Sequence, residues 1–310
     1  MHKFAFVFPG QGSQSRGMMG GFSDFPIVHD TFIEASDILK QDLWQLAAEG
    51  TDADLNATIN TQPLMLTAGI AVYRAWQSLP APKPLMLAGH SLGEYSALVA
   101  SGALRFADAL PLVRYRAECM QQAVPEGMGG IAAILGLEDD EVRAVCNEAA
   151  QHEVLEAVNF NSPGQVVIAG NRTAVERGMA LAKLKGAKRA VMLPMSVPSH
   201  CSLLRGAAAK LQLYLQNVSI QSPVIPVIHN ADVKGYADPM AIRDALVRQL
   251  YSPVRWVETI QHFGQLGITH NVECAPGRVL AGLNKRIDTN QQALALNDSA
   301  SLQTVLAALT

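Results

Sequence analysis

Gly89-His90-Ser91-Leu92-Gly93 is the stretch of this sequence best suited to chemistry. It fits G-x-S-x-G, a strained turn from a strand into a helix that lifts a serine oxygen clear of a sheet as a nucleophile. Glycine and serine are common, so the five residues need context. They have it, because an apolar run, Pro84 to Gly89, precedes the serine and a helix-forming run, Glu94 to Ala103, follows it. A serine hydroxyl also needs a base. Of the eight histidines, His200 in Val197-Pro198-Ser199-His200 falls at a polar break in the chain and is the candidate. His90 adjoins Ser91, so on a tight turn its ring should point elsewhere, and it reads as structural. His229 and His270 lie near apolar runs and read as core-edge residues. No Asp or Glu is placed by spacing to orient His200, which leaves a dyad open.

Two further features bear on that chemistry. Pro9-Gly10-Gln11-Gly12-Ser13-Gln14 follows an apolar run. It is not a dinucleotide loop, since the third glycine would fall at Ser15, and no G-K-[ST] occurs in the chain. Such a turn either aims backbone N–H groups at a developing oxyanion or simply ends a strand. Arg116 shares a helical stripe with Leu112, Val113, Cys119, Met120 and Ala123, whereas Arg114 points the other way. An arginine on a buried face needs an anionic partner, either a nearby Glu or a bound ligand.

These residues need a scaffold. Lys3 to Phe8 and Pro84 to Gly89 read as buried strands, each followed by a glycine-containing turn and then helix, which is α/β logic. From Gly130 the pattern becomes strand (131–135), helix (138–150), strand (154–160), strand (165–169), helix (173–185), strand (187–193), the order of a ferredoxin-like unit. Beyond Ser196 helices alternate again with short apolar runs, Val224 to Ile228 and Thr269 to Glu273. The expected architecture is a mainly parallel, hydrolase-like α/β body, residues 1–126 and 196–310, carrying an inserted ferredoxin-like subdomain, residues 127–195. Its site should lie at the carboxyl ends of the body strands.

Composition excludes several other classes. With 49% hydrophobic and 16% charged residues over 310 positions, the chain can build a large core. A net charge of −3 gives no global field for nucleic acid or an anionic membrane. No run reaches the ~20 apolar residues of a membrane span, and Pro9 cuts the N-terminal apolar run short of a signal sequence. A soluble, cytoplasmic chain is expected. Its four cysteines, Cys119, Cys146, Cys201 and Cys274, form no C-x-x-C, so neither a disulfide framework nor a metal site is expected.

Taken with Val7-Phe8-Pro9-Gly10-Gln11-Gly12-Ser13-Gln14 and Gly89-His90-Ser91-Leu92-Gly93-Glu94, several further runs make the sequence resemble the malonyl-CoA:acyl carrier protein transacylases. These are Asn159-Phe160-Asn161-Ser162-Pro163-Gly164-Gln165, Val197-Pro198-Ser199-His200, Val247-Arg248-Gln249-Leu250 and Pro276-Gly277, in order along nearly the whole chain. The resemblance implies Ser91 as nucleophile, His200 as its base and Arg116 as a bidentate clamp on the malonyl carboxylate. It implies an oxyanion hole from the backbone N–H groups of Gln11 and Leu92, and the backbone carbonyl of Gln249 as the group that orients His200. It further implies malonyl-CoA and a holo acyl carrier protein as partners, with no bound cofactor. The same residues would also serve a serine thioesterase or esterase, and the carrier could belong to fatty-acid or polyketide synthesis. A non-catalytic scaffold would be expected to lack Ser91, His200 or Arg116.

Overall fold

The computed structural model describes residues 2–194 and 197–310. Its larger sheet contains β1 (Phe4–Phe8), β2 (Met86–Gly89), β7 (Val227–His229), β8 (Lys234–Gly235), β9 (His270–Glu273) and β10 (Gln292–Ala295). The strand order is β10-β9-β1-β2-β7-β8, and every pair is parallel except β7 with β8. All five residues of β1, Phe-Ala-Phe-Val-Phe, are buried. A parallel strand covered by helices on both faces must be apolar on both, and β1 meets that condition. Phe4, Phe6 and Phe8 enter one core with Trp76 and Tyr73 of the helix Thr58–Gln77, while Ala5 and Val7 face Trp256, Ile260 and Phe263 on the other side.

The smaller sheet is antiparallel throughout: β3 (Gly129–Leu135), β4 (Leu155–Ser162), β5 (Gln165–Asn171) and β6 (Arg189–Met192), in the order β4-β5-β3-β6. Helices Asp139–Ala150 and Arg172–Leu184 connect these strands in the ferredoxin-like β-α-β-β-α-β arrangement. Its two faces follow the alternation of its strands. Ala132, Ile134, Val166 and Ile168 pack under its own helices, and Ile131, Val158, Val167 and Ala169 turn toward Cys201, beside His200. The inserted unit thereby roofs the body sheet where three parallel strands end.

Of the apolar run Val224 to Ile228 only Val227 and Ile228 enter β7, and Val224 is exposed. Pro223 and Pro226 have no N–H to give a ladder, so this segment runs as an edge connection and only its last residues pair with β2. All four cysteines are buried and free. Among the described residues no cluster of metal-ligating side chains occurs, and no helix is long and apolar enough to cross a membrane.

Candidate active site

β2 ends at Gly89, and Ser91 sits on the turn into the helix Gly93–Ala100. Its φ of 52° lies in the left-handed region, the strain expected of a nucleophile elbow. The flanking glycines are steric necessities: a Cβ on Gly89 would stand 1.8 Å from the Gly93 carbonyl carbon, and one on Gly93 would stand 2.0 Å from the Phe8 carbonyl oxygen. Asn230, at the end of β7, holds the turn from outside by donating to the Gly89 carbonyl (2.6 Å) and accepting from the Ser91 backbone N–H (2.7 Å).

His200 comes from a segment 109 residues away, also with a left-handed φ, 66°. Its Nε2 is 2.7 Å from the Ser91 hydroxyl, and its Nδ1 is 2.7 Å from the backbone carbonyl of Gln249. A carbonyl can only accept, so Nδ1 carries the proton and Nε2 is left to accept from the serine. The ring is 2% exposed, and burial, aided by the charge on Arg116, lowers its pKa to about 3. It is therefore neutral, the form a base requires.

Arg116, on the helix Phe106–Ala123, is completely buried. Its Nη1 donates to Gln62 Oε1 (2.8 Å), and its Nη2 donates to Gln249 Oε1 (3.0 Å) and to the Ser91 hydroxyl oxygen (3.2 Å). Among the described residues its Nε–H has no acceptor and no carboxylate pairs with it. Tyr95 lies under the guanidinium, 5.4 Å from ring centroid to Cζ. Burial pulls the guanidinium's pKa below its ordinary value.

Gln11 follows β1, whose last residue pairs with Gly89, so its loop lies beside the elbow. The backbone N–H groups of Gln11 and Leu92 donate to no acceptor among the described residues. A cleft of about 150 Å³ opens here, lined by Gln11, Ser91, His200, Asn159, Asn161 and Leu280. A larger cavity, about 830 Å³, is lined by Tyr73, Trp76 and Phe106 and contains no serine, cysteine or histidine. Chemistry therefore favours the smaller one.

His90 turns away from the base and bonds Asn161 on β4 through Nε2 at 2.8 Å. His229 is more engaged than a core-edge residue, since its Nδ1 lies 2.7 Å from Glu94 Oε1. Sequence reasoning missed Gln62, Asn230, Glu94 and the side chain of Gln249. The missed partners Asn230 and Gln249 lie 139 and 158 residues from Ser91, so no local spacing links them to it.

An acyl transferase domain model matches residues 5–303. The malonyl CoA-acyl carrier protein transacylase of Salmonella typhimurium is 52% identical, covering 99% of both chains, and that of Bacillus subtilis is 40% identical, covering 100% of this chain and 98% of its own. Among solved structures, an acyl-carrier-protein S-malonyltransferase from Burkholderia pseudomallei superposes with a TM-score of 0.97 at 58% identity, covering 98% of this chain and 99% of that one. A malonyl-transacylase solved in complex with its type II PKS acyl-carrier protein does so with a TM-score of 0.97 at 50% identity, covering 99% of each.

Proposed function

The chain belongs to the acyl transferase family, whose malonyl CoA-acyl carrier protein transacylases it matches along nearly its whole length, and on that premise we propose that it moves malonyl from coenzyme A to the phosphopantetheine thiol of an acyl carrier protein. In this reading His200 Nε2 takes the Ser91 proton as Oγ attacks the thioester carbonyl. The tetrahedral oxygen then accepts from the Gln11 and Leu92 N–H groups, a contribution of roughly 2.7–4 kcal/mol per donor. Collapse expels the CoA sulfur, which leaves as thiol with the proton from His200. In the second half the carrier thiol gives its proton to His200 and its sulfur attacks the acyl carbonyl, and Ser91 leaves with that proton restored. The backbone carbonyl of Gln249 keeps the imidazole in its working tautomer. No cofactor is required by these steps.

The observation that carries the reading is Arg116 Nη2 at 3.2 Å from Ser91 Oγ, on a buried guanidinium without a carboxylate partner. In a malonyl group one methylene separates the carboxylate from the thioester carbonyl. A clamp for the first must therefore stand close to the nucleophile for the second. When the carboxylate settles on Arg116 it also offsets a positive charge that holds the His200 pKa down, so a substrate of the right charge makes its own base stronger. The domain division 1–126 and 196–310 against 127–195, a cytoplasmic setting and a fatty-acid carrier belong to the same proposal. The relative solved with a type II PKS carrier keeps polyketide supply as the second reading.

The test is transfer of labelled malonyl from CoA to holo carrier protein, run with a fatty-acid and a polyketide carrier. Stoichiometric label on a carrier thiol, abolished by Ser91→Ala, is expected. Release of free malonate with both carriers unlabelled would make the chain a hydrolase.

A further inference from the structure

Arg116 poses an electrostatic problem that the reaction leaves unsolved. A fully buried guanidinium with no anion is strongly destabilising. One paired directly with a protein carboxylate would be stable, yet the substrate's carboxylate would then have to displace that partner. The structure contains neither arrangement. Between Arg116 and the nearest buried carboxylate in its network stands a single amide, the side chain of Gln249. Its Oε1 accepts from Arg116 Nη2 (3.0 Å), and its Nε2 donates to Glu94 Oε2 (2.9 Å) and to the Ser91 carbonyl (2.9 Å).

Glu94 is completely buried in the first turn of the helix behind the elbow. Three donors converge on its carboxylate: Gln249 Nε2, the Asn230 backbone N–H (2.9 Å) and His229 Nδ1 (2.7 Å). The His229 Nε2 has no partner, which suits a ring whose proton is on Nδ1. The same Asn230 braces the Ser91 turn through its side chain. Glu94 thus contacts neither the cleft nor Arg116; two of its three partners, Gln249 and Asn230, lead back to the clamp and the nucleophile, and His229 completes its shell.

We propose that Glu94 is the counter-charge of Arg116, held one amide away by Gln249, so that the guanidinium is stable when the cleft is empty yet keeps its direct anion position open for the acyl carboxylate. Glu94 is in this sense a positioning and specificity residue, acting through Gln249. The inference rests on Arg116 being the carboxylate clamp. It gives the Gln249 side chain a task separate from that of its backbone carbonyl. An amide is the one group of this shape that accepts from a cation at one end and donates to an anion at the other.

The experiment measures binding of malonyl-CoA and acetyl-CoA in a Ser91→Ala background, where no transfer occurs and CoA supplies the shared affinity. The preference for malonyl-CoA then isolates the carboxylate. Glu94→Gln removes the charge and keeps the shape, and His229 can shift its ring proton to accept from the new amide. With the protein anion gone, the acyl carboxylate becomes the sole counter-charge, and the preference should rise about tenfold. Combining Glu94→Gln with Gln249→Glu moves the carboxylate from behind the amide onto Arg116 itself without setting two carboxylates against each other, and the preference should fall at least tenfold. A residue serving only to pack or hydrogen-bond would leave the preference unchanged or lower it in Glu94→Gln, and either result overturns the proposal. Should Glu94→Gln alone fail to fold, the double variant, which keeps one carboxylate in the network, decides, and an undiminished preference there overturns it. Arg116→Ala is the control for the underlying reading. If that variant prefers malonyl-CoA as strongly as its parent, the clamp itself is wrong, a failure distinguishable from one confined to Glu94.

Discussion

At the scale of single residues, the site is defined by charges that burial makes expensive. Arg116 has no exposure, so its choice of partner is a choice of substrate. Acetyl-CoA would leave the anion position on the guanidinium empty where malonyl-CoA fills it, a difference of roughly 1.5–3 kcal/mol, or about one to two decades in specificity. Arg116→Ala should therefore collapse the ratio of kcat/KM for malonyl-CoA over acetyl-CoA toward unity, and a variant that still prefers malonyl-CoA would remove Arg116 from the specificity account. Ser91, His200 and Arg116 were readable in the sequence because each breaks a local pattern: a serine between glycines, a histidine at a polar break, an arginine on an apolar stripe. Gln62, Asn230 and Glu94 break none, and their roles exist only after the chain has brought distant segments together. The residues alone showed the missing acid only as an absence; the family resemblance offered the carbonyl of Gln249 in its place, and that carbonyl stands 2.7 Å from His200 Nδ1.

At the scale of elements, parallel strand ends do the positioning. β1, β2 and β7 are neighbours, and their carboxyl ends deliver Gln11, Ser91 and Asn230 to one line. β1 and β2 were plain in the sequence as apolar runs closed by glycine turns. β7 was legible only as part of the apolar run Val224 to Ile228, because Pro223 and Pro226 have no N–H to give and the ladder with β2 starts after them. β9 adds Glu273, which is fully buried and accepts from the Ala281 N–H (2.9 Å) at the start of the helix Val279–Ile287, a helix that lines the cleft through Val279, Leu280 and Leu283. Its other oxygen has no partner, and burial raises the pKa from 4.5 to about 7. The folded state therefore holds a proton that the unfolded chain has lost between those values, so stability falls as pH rises through that window. At about 1.4 kcal/mol per pH unit the loss is about 3 kcal/mol. Glu273→Gln should flatten the decline in melting temperature between pH 5 and 8, and an unchanged slope would show that another group governs it.

At the scale of the whole molecule, the inserted ferredoxin-like unit walls the cleft with Ile131, Asn159, Asn161 and Val167. It was legible because its β-α-β-β-α-β order spans a continuous stretch, and its contact with Cys201, the residue after His200, was not, because that contact is made by the face of β3–β5 turned away from its own helices. Lys183, Lys185, Lys188 and Arg189 form a basic run from the end of the helix Arg172–Leu184 into β6, and Lys185 is engaged by Glu148. Lys188 packs against Gly136, next to Gly164, and Arg286 donates to the adjacent Gln165 (2.9 Å), which extends the positive edge onto the helix behind the cleft. An acidic carrier protein would meet this edge as its pantetheine arm enters. Reversing Lys188 and Arg189 to Glu should raise the KM for carrier about tenfold, and an unchanged KM would place docking elsewhere. The central claim is that malonyl rests on Ser91 between two thiols, and intact-mass spectrometry of the protein mixed with malonyl-CoA tests it most directly. One malonyl adduct, absent in Ser91→Ala, stable in water and discharged by holo carrier protein, is the predicted result; no adduct, or an adduct that Ser91→Ala retains, would contradict it.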